Sequence, residues 1–232
     1  MSDRRVPMQA EHIGRKLRYL KGTELFQDFT REQLEPFHHT IAMTTCRAGH
    51  VFYRPGETGE AMFLLKEGAA QLYRMSPDGR KFVFAEVPPG SIFGEMTCIG
   101  QAMYDCFAQA TADSVICTMN RADVQRLILA YPRFALRLIE TLGNRIVEAE
   151  RQLEDVAFKA VVPRLAALLQ RAARERAVDG LSHQDIAERL GVYRETTTYA
   201  LNELKAAGII EIGRRRIRIL DEAQLAALAQ GC

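Results

Sequence analysis

No apolar run in the 232 residues approaches the roughly 20 consecutive apolar positions that a membrane-spanning helix needs. The opening stretch M-S-D-R-R-V-P-M-Q has no apolar core behind its charges, so it does not read as a signal peptide. No cysteine pair is spaced C-x-x-C. The five cysteines (Cys46, Cys98, Cys106, Cys117 and Cys232) are odd in number, in a chain too long to need disulfide stapling. Reduced thiols and a cytoplasmic location are therefore expected. Charge of one sign is also missing: 31 Lys and Arg against 29 Asp and Glu give +2. Any nucleic-acid footprint must then be local, and Arg214, Arg215, Arg216 and Arg218 form one local excess. No Ser-His-Asp set, metal cluster or carboxylate pair stands at usable spacing, which argues against an enzyme and against a metal site. Internal repeats and low-complexity stretches are absent too. What remains, 47% hydrophobic and 26% charged residues, is ordinary for a soluble globular protein with room for two domains or one large one.

The most informative stretch is 181–204, L-S-H-Q-D-I-A-E-R-L-G-V-Y-R-E-T-T-T-Y-A-L-N-E-L. Ser182 followed three residues later by Asp185 is a capping-box-like helix start. Ile186, Ala187 and Leu190 share one helical face, and Gly191 ends the helix where a left-handed residue is needed. A second helix begins near Tyr193 and buries Thr197, Leu201 and Leu204. Its opposite face offers Arg194, Glu195, Thr196 and Tyr199, which no apolar packing explains. A helix-turn-helix would present such side chains to base edges in a major groove; an ordinary helical hairpin would leave them as a solvated face. Past Ala207-Gly208, I-I-E-I-G-R-R-R-I-R-I-L predicts a two-stranded hairpin turning at Gly213, the wing of a winged helix-turn-helix over 181–220.

Earlier in the chain, residues 1–20 predict a basic arm or short helix, and 23–39 a helix with Thr30 and Gln33 opening a second capped turn. From about 40 to 118 the pattern alternates: V-F-Y-R, A-M-F-L-L-K, A-A-Q-L-Y-R-M and K-F-V-F-A-E-V are short strands. They are separated by Pro55-Gly56, Glu67-Gly68, Pro77-Asp78-Gly79 and Pro88-Pro89-Gly90, the punctuation of an all-β sandwich or barrel. Asp78-Gly79 is the clearest hairpin signal. A long helix over 121–157, bent at Tyr131-Pro132, carries Ile139, Leu142, Ile146, Ala149, Leu153 and Val156 at alternating steps of three and four. That is the a/d seam through which two helices pair, and it predicts a homodimer; a helix lying on its own domain is the alternative. Phe158-Lys159-Ala160 reads as a hinge, followed by a helix over 161–177.

A roll of short strands, a dimer helix and a winged helix-turn-helix, in that order, resembles the cyclic-AMP receptor protein/FNR (CRP/FNR) family of bacterial transcription regulators. P-P-G-S-I-F-G-E-M, residues 88–96, is similar to the family's phosphate-binding cassette, and Y-R-E-T-T-T-Y-A-L, residues 193–201, to its recognition helix. The implied fold is α+β: an N-terminal cyclic-nucleotide-binding-type β-roll (a double-stranded jelly roll) over 1–120, the dimerisation helix and hinge over 121–158, and the DNA-binding domain over 159–232. The resemblance implies a homodimer on double-stranded DNA with a near-palindromic site, RNA polymerase as a further partner, and no membrane. By the same resemblance Arg194 pairs with a guanine edge and Glu195 with a cytosine amino group. Ser182, Gln184 and Thr196 take phosphate-contacting positions, and Tyr193 joins the DNA-facing set. Tyr199 stands where the best-known member has arginine. Arg214, Arg215 and Arg216 suit non-specific phosphate contact from the wing. The segment R-E-R-A-V-D-G, 174–180, is shorter than that member's polymerase-contacting loop.

The effector site departs from the family. Gly94 and Glu95 keep the first part of the cassette, but the Arg-Ser pair that holds the phosphate falls on Tyr104 and Asp105. The Thr-Ser pair that the dimer helix gives to adenine falls on Ala149 and Glu150. An aspartate would repel a phosphate that needs donors on leaving water. No cofactor is expected: cyclic AMP is not bound in the usual mode, and there is no iron–sulfur or haem signature. Two alternatives stay open, a thiol-based redox sensor at Cys98 and Cys106 and a true cyclic-nucleotide-dependent regulator with an altered pocket.

Overall fold

In the computed structural model, the structure describes residues 19–23, 25–34, 41–101 and 103–230. The basic arm expected over 1–20 falls almost wholly outside these residues, as does 35–40 at the end of the first expected helix. Of that helix, only α1 (Arg31–Leu34) is helical among the described residues. The Thr30 and Gln33 caps are reciprocal: the Thr30 amide donates to Gln33 Oε1 at 2.9 Å and the Gln33 amide to Thr30 Oγ1 at 3.3 Å. Before it, Thr23 to Phe29 turns on i→i+3 bonds (Phe26 to Thr23 and Phe29 to Phe26, both 3.1 Å), tighter than an α-helix. This geometry drops Leu25, Phe26 and Phe29 into the core on one side. The chain divides into two compact units, 1–73 with 85–145, and 74–84 with 146–232.

Among the described residues, the chain from 41 to 120 forms eight strands: β1 (Ala42–Cys46), β2 (Val51–Tyr53), β3 (Ala61–Glu67), β4 (Ala70–Met75), β5 (Lys81–Val87), β6 (Ile92–Phe93), β7 (Phe107–Ala110) and β8 (Ser114–Asn120); the tip of β4 and β5, residues 74–84, groups with the second unit. The strands form two four-stranded sheets, ordered β1-β8-β3-β6 and β2-β7-β4-β5. Alternation fixes the faces. Met62 and Leu64 of β3 and Cys117 and Met119 of β8 are fully buried, and they share one core with Leu20, Phe26, Leu127 and Phe134. Between the sheets, Phe52 and Tyr53 of β2 meet Phe63 of β3 and Phe93 of β6, with ring centroids 5.1–6.2 Å apart. Near β6 lies the short helix α2 (Glu95–Ile99).

The single helix expected over 121–157 is two. α3 (Arg121–Ala130) stops at Tyr131, which is extended (φ −130°, ψ 92°), and α4 (Pro132–Phe158) starts afresh. A residue before proline is pushed out of the helical region, while proline fits the first helical position, whose amide has no partner anyway. The pair therefore breaks the helix instead of bending it.

After α4, which takes in Phe158, Lys159 and Ala160 are not helical. The next helix, α5 (Val161–Ala172), ends five residues earlier than expected. Glu175 and Arg176 follow with φ of 47° and 62°, and Arg174 and Ala177 exchange backbone hydrogen bonds of 2.8 and 2.9 Å around them. That two-residue hairpin starts β9 (Ala177–Asp179). The wing thus has three strands, β10 (Ile210–Gly213), β11 (Arg216–Ile219) and β9, ordered β10-β11-β9. Gly213 is not the turn: it pairs with Arg216, and Arg214-Arg215 turn the chain, with Arg215 at φ 53°. A last helix, α8 (Glu222–Gln230), gives Leu225 and Ala229 to the core that holds Leu165, Leu169, Leu201 and Ile217.

Candidate functional site

Two helices and a three-residue turn hold the candidate reading head: α6 (His183–Leu190) and α7 (Arg194–Ala206). The capping box is complete. Ser182 Oγ accepts from the Asp185 amide at 3.2 Å, and the Asp185 carboxylate accepts from the Ser182 amide at 2.7 Å. Burial pushes the Asp185 carboxyl up, but the Ser182 hydroxyl and amide outweigh it, and the group lies below its ordinary value. Gly191 closes α6 in the left-handed region (φ 67°). The Arg164 guanidinium, from α5, donates to the Leu190 carbonyl that the helix end leaves over. Ile186, Leu190, Ala200, Leu201 and Leu204 are buried against α5 and the wing, and this fixes the rotation of α7. Thr197 is buried as well, with no hydrogen-bond partner for its hydroxyl among the described residues.

That rotation leaves Arg194, Glu195, Thr196, Tyr193 and Tyr199 exposed on one face, with Tyr199 at 75%. The first turn of α7 therefore offers a guanidinium, a carboxylate and a hydroxyl to whatever approaches it. Gln184 is exposed on α6 and donates to Glu188 at 3.1 Å, while Ser182 spends its hydroxyl on the cap. The wing arginines differ from one another. Arg215 donates to the Gly180 carbonyl at 2.8 and 3.1 Å, Arg216 lies 3.5 Å from Asp179, and Arg214 is exposed at the turn. A bond that the sequence does not suggest joins the two helices: His183 Nδ1 lies 2.9 Å from Thr198 Oγ1. Thr198 gives its own proton to the Arg194 carbonyl (3.0 Å), so the histidine donates.

Along α4, Ile139, Ile146, Leu153 and Val156 are 54–68% exposed, as are the further apolar residues Leu136 and Val147. Leu142, placed in the same seam by its spacing, packs instead against the core of the first unit, and Ala149 is exposed.

The cassette keeps its backbone. Gly94 has φ 76°, and a β-carbon there would stand 3.0 Å from the Ala61 carbonyl and 3.2 Å from Phe63. Glu95 is 3% exposed. One of its oxygens is paired with the Arg145 guanidinium from α4, which also donates to the Ile92 carbonyl; the other has no partner among the described residues. Tyr104 is buried, stacks on Tyr53 at 3.8 Å with 7° between planes, and donates its hydroxyl to the Ala61 carbonyl at 2.9 Å. Asp105 is exposed beside it, and Glu150 and Ala149 are exposed on α4. Among the described residues, Arg145 is the cation paired with Glu95, and the Tyr53–Tyr104 stack lies beside Gly94, whose β-carbon would stand 3.4 Å from the Tyr104 ring. Cys98 sits inside α2 and Cys106 just before β7, both buried, and burial pushes the Cys98 thiol above its ordinary value.

Fold and site together define a DNA-binding protein with a cyclic-nucleotide-binding-type roll. Comparison with known proteins agrees: "Cyclic nucleotide-binding domain" matches residues 43–131 and "Crp-like helix-turn-helix domain" residues 163–228, together well over half of the chain. The chain belongs to the CRP/FNR family of transcription regulators. It is 26% identical over 214 residues to the cyclic AMP receptor protein of Thermus thermophilus, covering 91% of this chain and 99% of that one. It is 28% identical over 188 residues to the global nitrogen regulator of Synechococcus elongatus (76% and 85%). Among solved structures, a CRP/FNR-family regulator of Thermus thermophilus superposes with a TM-score of 0.69 at 27% identity, over 82% of this chain and 98% of the other.

Proposed function

We propose that this DNA-binding transcription regulator works as a cytoplasmic homodimer on a near-palindromic site, and that it does so without cyclic AMP or any other cofactor. The observation that carries the effector half of this reading is the occupancy of the cassette by the chain's own side chains, Arg145 on Glu95 and Tyr104 on Tyr53. An entering nucleotide would have to break a buried ion pair and unstack two rings, and would meet Asp105 in place of a phosphate-binding arginine. The Thermus thermophilus relative is named for cyclic AMP; the side chains that fill the cassette support a different reading for this chain.

What supports the dimer is the apolar row on α4. Ile139, Ile146, Leu153 and Val156 keep more than half of their surface exposed, at the spacing by which a second copy's helix would bury them. Two recognition helices, one per subunit, would then enter successive major grooves. RNA polymerase is the further partner that regulation of transcription implies. A thiol switch is not favoured, because burial disfavours the reactive thiolate of Cys98.

Three measurements test the reading. Calorimetric titration with cyclic AMP should give no heat of tight binding; sub-micromolar affinity would overturn the effector half. Light scattering should give twice 26.1 kDa for the wild type and 26.1 kDa for an Ile146→Asp/Leu153→Asp variant. Selection from a random duplex pool, with no small molecule added, should enrich inverted repeats.

A further inference from the structure

Residues 74–84, the tip of the β4–β5 hairpin, belong to the same compact unit as the helix-turn-helix. The tip turns through Pro77-Asp78-Gly79, with Gly79 at φ 82° and Ser76 and Arg80 closing it through a 2.9 Å backbone bond. It touches the reading head at three points. Tyr193, which opens α7, donates its hydroxyl to Asp78 Oδ2 at 2.9 Å. Arg80 lies over the Tyr193 ring, 4.7 Å from its centroid, and holds the same Asp78 oxygen at 2.8 Å. Lys81 pairs with Glu188 of α6 at 3.0 Å, with both side chains largely shielded. Phe82 lies against the turn itself, where a β-carbon on Gly191 would come within 3.1 Å of its ring. These contacts fall on the end of α6, the turn and the start of α7, while Arg194, Glu195, Thr196 and Tyr199 stay exposed.

We propose that Asp78 and Arg80 are positioning residues for DNA reading: they hold Tyr193, and through it the first turn of the recognition helix, in the orientation that base contact requires. Tyr193 occupies the N-cap but has no oxygen in reach of the first-turn amides, and no side-chain cap bond forms there. The start of α7 is therefore the end of the helix least secured by its own sequence, and it is also the end that carries Arg194 and Glu195. The clasp supplies an outside anchor. Its hydrogen bonds, from Ser76 first and Tyr193 second, hold the Asp78 carboxyl well below the usual carboxylate range, so the anchor is charged throughout the physiological range. A contact that competed with DNA would be expected to cover all the reading side chains; this one takes up Tyr193 and leaves Arg194, Glu195, Thr196 and Tyr199 open. The inference rests on α7 being the DNA-reading helix, so the test separates the two.

Amide hydrogen exchange without DNA should show faster exchange at Thr197, whose amide donates to the Tyr193 carbonyl at 3.1 Å, and at Thr198 and Tyr199, in Asp78→Ala and in Tyr193→Phe than in the wild type. On a duplex selected by the wild type, each of these variants and Arg80→Ala should bind about fivefold more weakly, the scale of one exposed charge-assisted hydrogen bond. Affinity for an unrelated duplex and its salt dependence should stay unchanged. The Asp78→Ala/Tyr193→Phe double variant should be no worse than the weaker single one, because both remove the same bond. Unchanged exchange and affinity in Asp78→Ala would overturn the proposal. So would tighter binding, which would make the tip a competitor of DNA, or additive losses, which would make Tyr193 a direct DNA contact. Faster exchange with no duplex ever selected would leave the clasp standing and remove the DNA-reading role of α7.

Discussion

Replacing Arg145 by methionine tests the idea that the cassette is filled from within. Methionine keeps an unbranched apolar stem of similar length and removes every donor. Glu95, whose side chain is 4% exposed and which already has one oxygen without a partner, would then hold an unpaired charge inside the protein. Removing one member of a buried pair destabilises by about 3–5 kcal/mol. Because the Arg145 side chain is 35% exposed, water screens part of the pair, and about 2–3 kcal/mol is the better expectation. Glu95→Gln is the asymmetric control: it leaves a guanidinium that reaches solvent and keeps its bond to the Ile92 carbonyl, and should lose only about 1 kcal/mol. Combining the two should recover most of the deficit of Arg145→Met, since no charge is left stranded. Scanning calorimetry is the suitable assay, and the transition that carries the roll should fall by about 8–12 °C in Arg145→Met. A loss under 0.5 kcal/mol, or an equal loss in Glu95→Gln, would refute the reasoning, because the pair would then be a surface contact and not the occupant of the site.

Three further outcomes follow from the same geometry. Asp185, held below its ordinary value, stabilises the fold at pH values above about 3.9, its unfolded value, and that contribution is lost as pH falls through the folded one. Asp185→Asn should therefore lose about 1 kcal/mol at pH 7 and progressively less as pH falls below about 3.9, read from melts across that range. Glu195→Ala should flatten base preference at one position of the selected site by about 1–3 kcal/mol while leaving non-specific binding intact, measured by repeating the duplex selection; uniform weakening at all sequences would contradict a base-reading role. The Cys98 thiol, pushed up by burial, should react with an aromatic disulfide reagent in the folded protein far more slowly than in urea.

Much of the architecture is written locally. Ser182 and Asp185, three residues apart, and Gly191 mark both ends of α6, and the structure places the cap bonds and the left-handed residue at those positions. Alternation did the same for β2 to β5, and Asp78-Gly79 for the turn between the last two. Where local reading fell short, a specific rule was out of sight. Tyr131-Pro132 signals a disturbance in any helix, but whether it bends or breaks depends on whether the following turns find their own partners in the core, as Phe134 and Leu138 do. The hairpin that starts β9 has Glu175 and Arg176 at positive φ, where glycine or asparagine would have announced it. Leu142 has the spacing of a seam residue, yet spacing does not say which neighbour a helix face will meet, and its neighbour is the roll.

The candidate sites divide along the same line. Arg194, Glu195, Thr196 and Tyr199 were legible because the helical period assigns the inward positions to Thr197, Ala200, Leu201 and Leu204, and what is left over must face out. The residues that secure that helix were not: Asp78 lies 115 positions from Tyr193, and Arg145 lies 50 from Glu95. No periodicity links positions so far apart. From sequence, Tyr104 and Asp105 are expected to be poor phosphate ligands because they lack the donors of the family's Arg-Ser pair. The structure adds an argument from occupation: a guanidinium on one oxygen of Glu95 and two stacked rings already fill the place. Missing donors alone leave room for a ligand of different chemistry, whereas a filled site asks any ligand to displace contacts that the fold already makes. The proposed independence from effector therefore leans on Arg145 and Tyr53 more than on the two substituted cassette positions, and a variant that empties the site is where a new ligand should first be sought.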